Sequence, residues 1–282
     1  MKQAEKTGKL PFSHTEYAEA NLSTIVEVRS RVIQRRILII MGLFGSSKQH
    51  RTPKGVQFGR DMAHADHAGH RKLVLVRHGQ TDFNVKHLLP GQLPGIPLNA
   101  EGIHEAQTSA AAIRSLPLTA IVASPLDRTM QTAGYINEGR GLAIQQDPDL
   151  MDTNYGKFSG QCYDDLDKAN RQWQRYVTNG EFAPKGVENF LSVQQRAIRA
   201  TERWRTTEGL GEWVAIVTHA DLVKLIVAHY LSIPLGSVPL INMDNASVSL
   251  LTFHPDAEQR PPTLLCFNWT SPALWLQAAS KA

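Results

Sequence analysis

Leu73-Val74-Leu75-Val76-Arg77-His78-Gly79-Gln80-Thr81-Asp82-Phe83-Asn84 is the stretch on which the fold turns. Four aliphatic residues, half of them β-branched, are too few for a helix and read as a strand buried on both faces. The run stops abruptly at Arg77-His78-Gly79, where polar chemistry replaces packing. Outward along the chain the same arrangement recurs. Thr119–Ala123 runs into Ser124-Pro125-Leu126-Asp127-Arg128-Thr129-Met130-Gln131-Thr132, and Trp213–Val217 runs into Thr218-His219-Ala220-Asp221. Helical patterns fill the intervals. Asn99–Ile113 is alanine-rich and ends before Pro117, and Ser124-Pro125 supplies an N-cap and an N1 proline for a helix toward Gly139. Leu142–Gln146 reads as a third strand, Tyr163–Tyr176, Phe190–Thr206 and Asp221–Leu231 as helices, and Ser247–Phe253 and Leu264–Trp269 as closing strands. Strands alternating with helices predict one α/β domain around a mostly parallel sheet, with no internal repeat.

In open α/β sheets ligands bind in the crevice at the carboxyl ends of the strands. If the three strands are parallel neighbours, Arg77, His78, Arg128 and His219 converge on one pocket. Two arginines, two histidines and helix N-termini make an anion site, because guanidinium forks match phosphate oxygens and helix starts present N–H groups. A neutral imidazole there can attack phosphorus while the arginines stabilise the transferring group. The surrounding positive charge disfavours the imidazolium form of His78. His87, His104, His229 and His254 have no such context and read as structural or surface residues. Trp173, Tyr176 and Trp204 read as core or pocket wall.

Composition bounds the rest. The chain has 282 residues, 42% hydrophobic and 20% charged, with a formal net charge of +4, which excludes collagen-like, disulfide-scaffold and fully disordered classes. Its charge is uneven: residues 1–72 carry 13 Lys+Arg against 6 Asp+Glu, and the remainder 17 against 20. No basic stripe with interleaved aromatics accompanies the excess, so nucleic acid is not expected as a partner. Cys162 and Cys266 lie far apart with no zinc spacing, which points to a reducing, cytoplasmic compartment. The apolar run Ile37–Phe44 is too short for a membrane span, and Glu5, Glu16, Glu19 and Glu27 speak against a transit peptide. Residues 1–71 are expected to be a mostly disordered extension with a helix over 22–40 and a polar linker from Ser46 to Arg71, dispensable for folding and catalysis. His64, His67 and His70 in that linker read as a solvated tail rather than a metal site.

Taken together, the blocks resemble the histidine phosphatase superfamily, which includes the phosphoglycerate mutases. The resemblance rests on RHGQTxxN at Arg77–Asn84, Pro97-Leu98-Asn99 after Gly95, SPLxRTxQT at Ser124–Thr132, Gly186-Val187-Glu188, and His219 in Val217-Thr218-His219. It covers roughly residues 72–270, leaving 72–282 as the expected catalytic domain. It implies a three-layer α/β/α sandwich and a phosphohistidine intermediate, with no metal or organic cofactor. His78 matches the nucleophile, and Arg77, Arg128 and His219 match the phosphate pocket. Gly79, Gln80, Thr81 and Asn84 in the first loop, with Glu188, are further candidates for binding the substrate phosphate. Two departures stand out. Ala220-Asp221 follow the second histidine where many relatives have glycine, and Leu150-Met151-Asp152-Thr153-Asn154-Tyr155-Gly156 carries aspartate where the family has glutamate as its acid. Asp152 is therefore the expected proton donor, with Glu188 or Asp221 as substitutes.

The expected activity is metal-independent hydrolysis of a small phosphomonoester. The residues leave the substrate open among sugar phosphates, phosphoglycerate derivatives, nucleoside phosphates and phosphoproteins, and they leave the oligomeric state open. One rival keeps the fold and acts as a phosphoglycerate mutase, but mutases of this family usually carry arginine directly after the acid, where Thr153 stands here. The other rival is a catalytically dead module that binds phosphorylated partners.

Overall fold

In the computed structural model the described residues are 71–254 and 260–270. The expected helix over 22–40, the linker up to residue 70 and its three histidines lie outside them. Six strands form one sheet: β1 Arg71–Arg77, β2 Ala120–Ala123, β3 Ile144–Gln146, β4 Trp213–Thr218, β5 Val248–Phe253 and β6 Thr263–Trp269, in the order β3-β2-β4-β1-β5-β6. β3, β2, β4 and β1 run parallel, and β5 and β6 close the edge antiparallel.

Alternation along each strand builds the layers. Leu73 and Leu75 of β1 join Val214, Ile216 and Leu251 in a core beneath α6 (Phe190–Thr206) and α7 (Ala220–Tyr230). Val74 and Val76 face the other way with Ile121, Ala215 and Val217, beneath α2 (Ala100–Ala112) and α3 (Asp127–Asn137). All four β1 residues are fully buried, each contributing about 1.5–3 kcal/mol relative to exposure. The result is an α/β/α sandwich. Among the described residues no helix is long and apolar enough to cross a membrane.

Two local expectations fail. Ser124 does not cap α3: Leu126 holds the N-cap position without a side-chain bond, and α3 starts at Asp127. The Ser124 hydroxyl is instead 2.9 Å from His219 Nε2, so a long-range polar partner displaces the local cap. The helix expected over Tyr163–Tyr176 is two helices, α4 (Tyr163–Ala169) and α5 (Arg171–Thr178). Asn170 separates them because its side chain accepts from the N–H groups of Gln172 and Trp173, making it the N-cap of the second.

Parallel pairing in register sets the three chemistry-bearing strand ends side by side. Arg77 lies opposite Thr218, and Ala123 opposite Val217. Beyond them the ladder continues for one bond each, His78 N donating to Thr218 O (3.0 Å) and Ser124 N to Val217 O (3.0 Å). The next residue, Gly79, packs backbone against backbone on Gly102 in the first turn of α2. A methyl group at either position would overlap the other segment's main chain, so both need glycine.

Candidate active site

The site grows from His78. Its ring is 2% exposed, and Nδ1 lies 2.7 Å from Gly79 O. A carbonyl only accepts, so Nδ1 carries the hydrogen and the neutral ring keeps its lone pair on Nε2. The loop that holds the ring is itself tied down. Gly79 N donates to Thr132 Oγ1 (3.1 Å), and Gln80 N donates to Glu105 Oε2 (2.7 Å). Thr81 and Asn84 form a reciprocal capping box on α1 (Asp82–Val85). The side chains of Thr81 and Asn84 are spent on each other, and Asn84 Oδ1 also accepts from Asn245 Nδ2 (3.3 Å). These two shape the loop.

His219 stands edge-on to His78, with ring centroids 5.2 Å apart and planes at 61°. With Nε2 against Ser124 Oγ, its Nδ1 is 3.6 Å from Asp152 Oδ2. The same carboxylate oxygen accepts from Arg128 Nη2 at 3.0 Å, and that nitrogen also donates to Gly91 O (2.8 Å). Arg77 donates Nη1 to Met243 O. The structure therefore gathers Arg77, His78, Arg128, Asp152 and His219 into one cluster. Four of its buried nitrogens, Arg77 Nε, Arg128 Nε, Arg128 Nη1 and His219 Nδ1, have no hydrogen-bond partner in the protein. Buried donors normally find partners, and a tetrahedral oxyanion supplies several acceptors at once.

Electrostatics follows from burial. Both imidazoles are held well below their ordinary value of 6.5, first by burial and then by the Arg128 guanidinium, which keeps them neutral near pH 7. Burial pushes Asp152 above the ordinary aspartate value, opposed by Arg128. Asp221 goes the other way: burial raises it, but Lys224 and the Tyr155 hydroxyl outweigh that and hold it below the aspartate range. An acid held ionised is a poor proton donor. Glu188 makes its contacts elsewhere, in a bidentate pair with Arg196 (2.7 and 3.0 Å) and with Asn154 N (3.2 Å). None of its hydrogen bonds reaches the His78 cluster.

A pH effect on stability follows. The unfolded chain takes up protons on these two histidines as pH falls through about 6.5, whereas the folded rings stay neutral, so folding stability drops on acidification below that value. Asp152 acts in the opposite sense, its penalty being relieved as pH falls through its raised pKa. Melting temperatures at pH 7.5 and 5.5 should therefore differ in favour of the higher pH, and His219→Asn should narrow the gap. An unchanged gap in the variant would contradict a neutral buried His219.

Sequence reasoning missed two residues. Ser124, the partner of His219, was visible as a hydroxyl at a strand end but was assigned to a cap. Arg196 gave no local signal. It is buried on α6, pairs with Glu188, and donates to the carbonyls of Asp149, Met151 and Asp152, so it grips the loop that carries Asp152. Among the described residues no group of three or more His, Cys, Asp or Glu is placed to hold a metal ion.

Comparison with known proteins agrees with this fold. A profile of the histidine phosphatase superfamily (branch 1) matches residues 73–266. The chain is 30% identical over 196 residues to a glucosyl-3-phosphoglycerate phosphatase of Mycobacterium tuberculosis, covering 65% of this chain and 86% of the relative. It is 29% identical over 184 residues to a probable phosphoglycerate mutase, GpmB, of Enterobacter, covering 64% and 85%. Among solved structures, the native mycobacterial glucosyl-3-phosphoglycerate phosphatase superposes with a TM-score of 0.62 at 29% identity, covering 71% of this chain and all of that one. Bacillus stearothermophilus YhfR superposes with a TM-score of 0.65 at 26% identity, covering 71% and 98%.

Proposed function

The chain belongs to branch 1 of the histidine phosphatase superfamily, and from that membership we propose that it hydrolyses small phosphomonoesters through a phosphohistidine on His78, without a metal ion. The observation that carries this reading is the His78 ring itself, neutral, buried, with Nε2 free to attack and two guanidinium groups beside it. Nε2 attacks phosphorus, the N–P bond forms, and the P–O bond to the alcohol breaks. Arg77, Arg128 and the N–H of a His219 imidazole stabilise the charge on the transferring oxygens. As the phosphate dianion enters, Arg128 turns toward it, and the like charge raises the pKa of Asp152 further. Asp152 gives its proton to the leaving oxygen, then takes one from the water that attacks the phosphohistidine. The N–P bond breaks, inorganic phosphate leaves, and His78 is neutral again.

The test is phosphate release from p-nitrophenyl phosphate and a panel of metabolite phosphates, with and without EDTA. Turnover that EDTA abolishes and a divalent metal restores would overturn the mechanism. Relatives named as mutases make the mutase reading the one to measure against it, and conversion of 3- to 2-phosphoglycerate much faster than phosphate release would decide for that reading.

Arg196 acts through Asp152 in this scheme. Arg196→Met should lower kcat by about 10²-fold with little change in KM, since displacing a catalytic group by about 1 Å has that cost. It should also destabilise the fold by about 3 kcal/mol by leaving the partly buried Glu188 carboxylate without its partner. The double variant Arg196→Met/Glu188→Leu separates the two roles: stability should recover while kcat stays low. Recovery of both together would make Arg196 purely structural.

A further inference from the structure

We propose that the cavity beside the phosphate site takes an uncharged, apolar alcohol, so that the preferred substrate is a phosphomonoester of an aryl- or alkyl-bearing alcohol rather than of a carboxylated or polyhydroxylated one. This rests on the phosphatase reading above and concerns which alcohol leaves.

A cavity of about 560 Å³ opens against Arg77, a volume ordinary for a small-ligand site. Its walls are aromatic: Tyr155, Tyr163, Trp173, Tyr176 and Phe190 line it. Three of their four polar ends are already committed to the protein. Tyr155 OH donates to Asp221 (2.8 Å), Trp173 Nε1 to Asp167 (2.6 Å) and Tyr176 OH to Glu188 O (3.2 Å). What the rings offer a ligand, the Tyr163 hydroxyl apart, is hydrocarbon. The rings also pack on one another, Trp173 and Tyr176 at 5.4 Å and Tyr176 and Phe190 at 4.9 Å between centroids. Val238, Pro239, Ile241 and Met243 also line the cavity, and Leu240, beside them in sequence, is 85% exposed.

The charges in the cavity point the same way. Apart from Arg77, which serves the phosphate, the lining charges are Lys224, Asp167 and Asp221. Lys224 Nζ is 3.0 Å from Asp221 Oδ1 and so is already paired. A carboxylate on the alcohol would meet two carboxylates and no uncommitted cation, and Thr153 beside the acid brings none. A polyol fares little better, because apart from the Tyr163 hydroxyl and the Asn242 amide oxygen the polar side chains of the lining already have partners in the protein.

The experiment compares kcat/KM of the full chain for 2-phenylethyl phosphate, glycerol 3-phosphate and 3-phosphoglycerate. All three release alkyl alcohols, so the demand on the proton donor is similar. The phenylethyl ester should exceed glycerol 3-phosphate by about 10²-fold, the effect of taking a phenyl ring out of water, and 3-phosphoglycerate should lie about tenfold lower still. Tyr163→Ala, at a partly buried wall position, should narrow the first ratio, and Asp221→Asn should narrow the second. p-Nitrophenyl phosphate serves as the control. If it is hydrolysed in a His78-dependent way while 3-phosphoglycerate or glycerol 3-phosphate matches or beats the phenylethyl ester, the phosphatase reading stands and the present inference is overturned. If no ester is hydrolysed, both are overturned.

Discussion

His78→Ala is expected to lower turnover of every phosphomonoester by about 10⁴-fold or more, the scale of loss when a nucleophile acting within a unit is removed. No neighbour can take its place. The other ring in the cluster, His219, has Nε2 against the Ser124 hydroxyl and Nδ1 toward Asp152, and Asp152 itself is bonded to Arg128. The loss should fall on kcat, and the intact protein, quenched in alkali during turnover, should carry one acid-labile phosphoryl group that the variant lacks. Circular dichroism should show the fold retained, because the loop is held by backbone bonds from His78, Gly79 and Gln80. Activity within tenfold of the parent would remove His78 from the reaction.

The second large effect belongs to Asp152→Asn. The amide keeps the shape and can still accept from Arg128, but it cannot donate a proton as an acid. For an alkyl ester, whose alkoxide is a poor leaving group, turnover should fall by about 10²- to 10⁴-fold. For p-nitrophenyl phosphate, whose leaving group scarcely needs the proton, the loss should stay below about tenfold. The pH profile adds an independent readout. In the parent enzyme the first step needs protonated Asp152, so activity with alkyl esters declines as pH rises through the raised pKa. The variant should lack that alkaline limb. Equal losses on both kinds of substrate would take Asp152 out of the proton-transfer role.

The legible part of this protein was local. Leu73–Val76, Thr119–Ala123 and Trp213–Val217 announced strands through runs that have no stable alternative but a buried sheet, and the polar residues that end them fell together because parallel strands end side by side. Asp152 was findable through the family resemblance, because Leu150 and Gly156 frame it where the family carries its acid. What escaped was decided across the fold. Ser124 carries the signature of an N-cap, and only a histidine brought in from β4 draws its hydroxyl away. Glu188 sits in a motif that suggested phosphate binding, yet Arg196, eight positions along, supplies a buried bidentate partner that no periodicity reveals. Asn170 broke a helix whose apolar spacing continues through it, because a side-chain cap competed with the helical hydrogen bonds.

The place of β1 at the heart of the sheet also governs how the domain comes into being. Its hydrogen bonds go to β4 and β5, pairing Lys72 with Trp213 and Thr252, and to no strand nearby in sequence. The strand that carries His78 is the first of the six to leave the ribosome and among the last to find its partners. Until β4 has emerged, Arg77 and His78 have neither the floor that buries them nor the second histidine. Closing so long a loop before any pairing rewards it makes for slow folding, and a chain that ends before Thr218 lacks both the last β1–β4 pairing and the second histidine of the cluster. Synthesis thus completes the cluster around His78 late, with the arrival of β4 and His219.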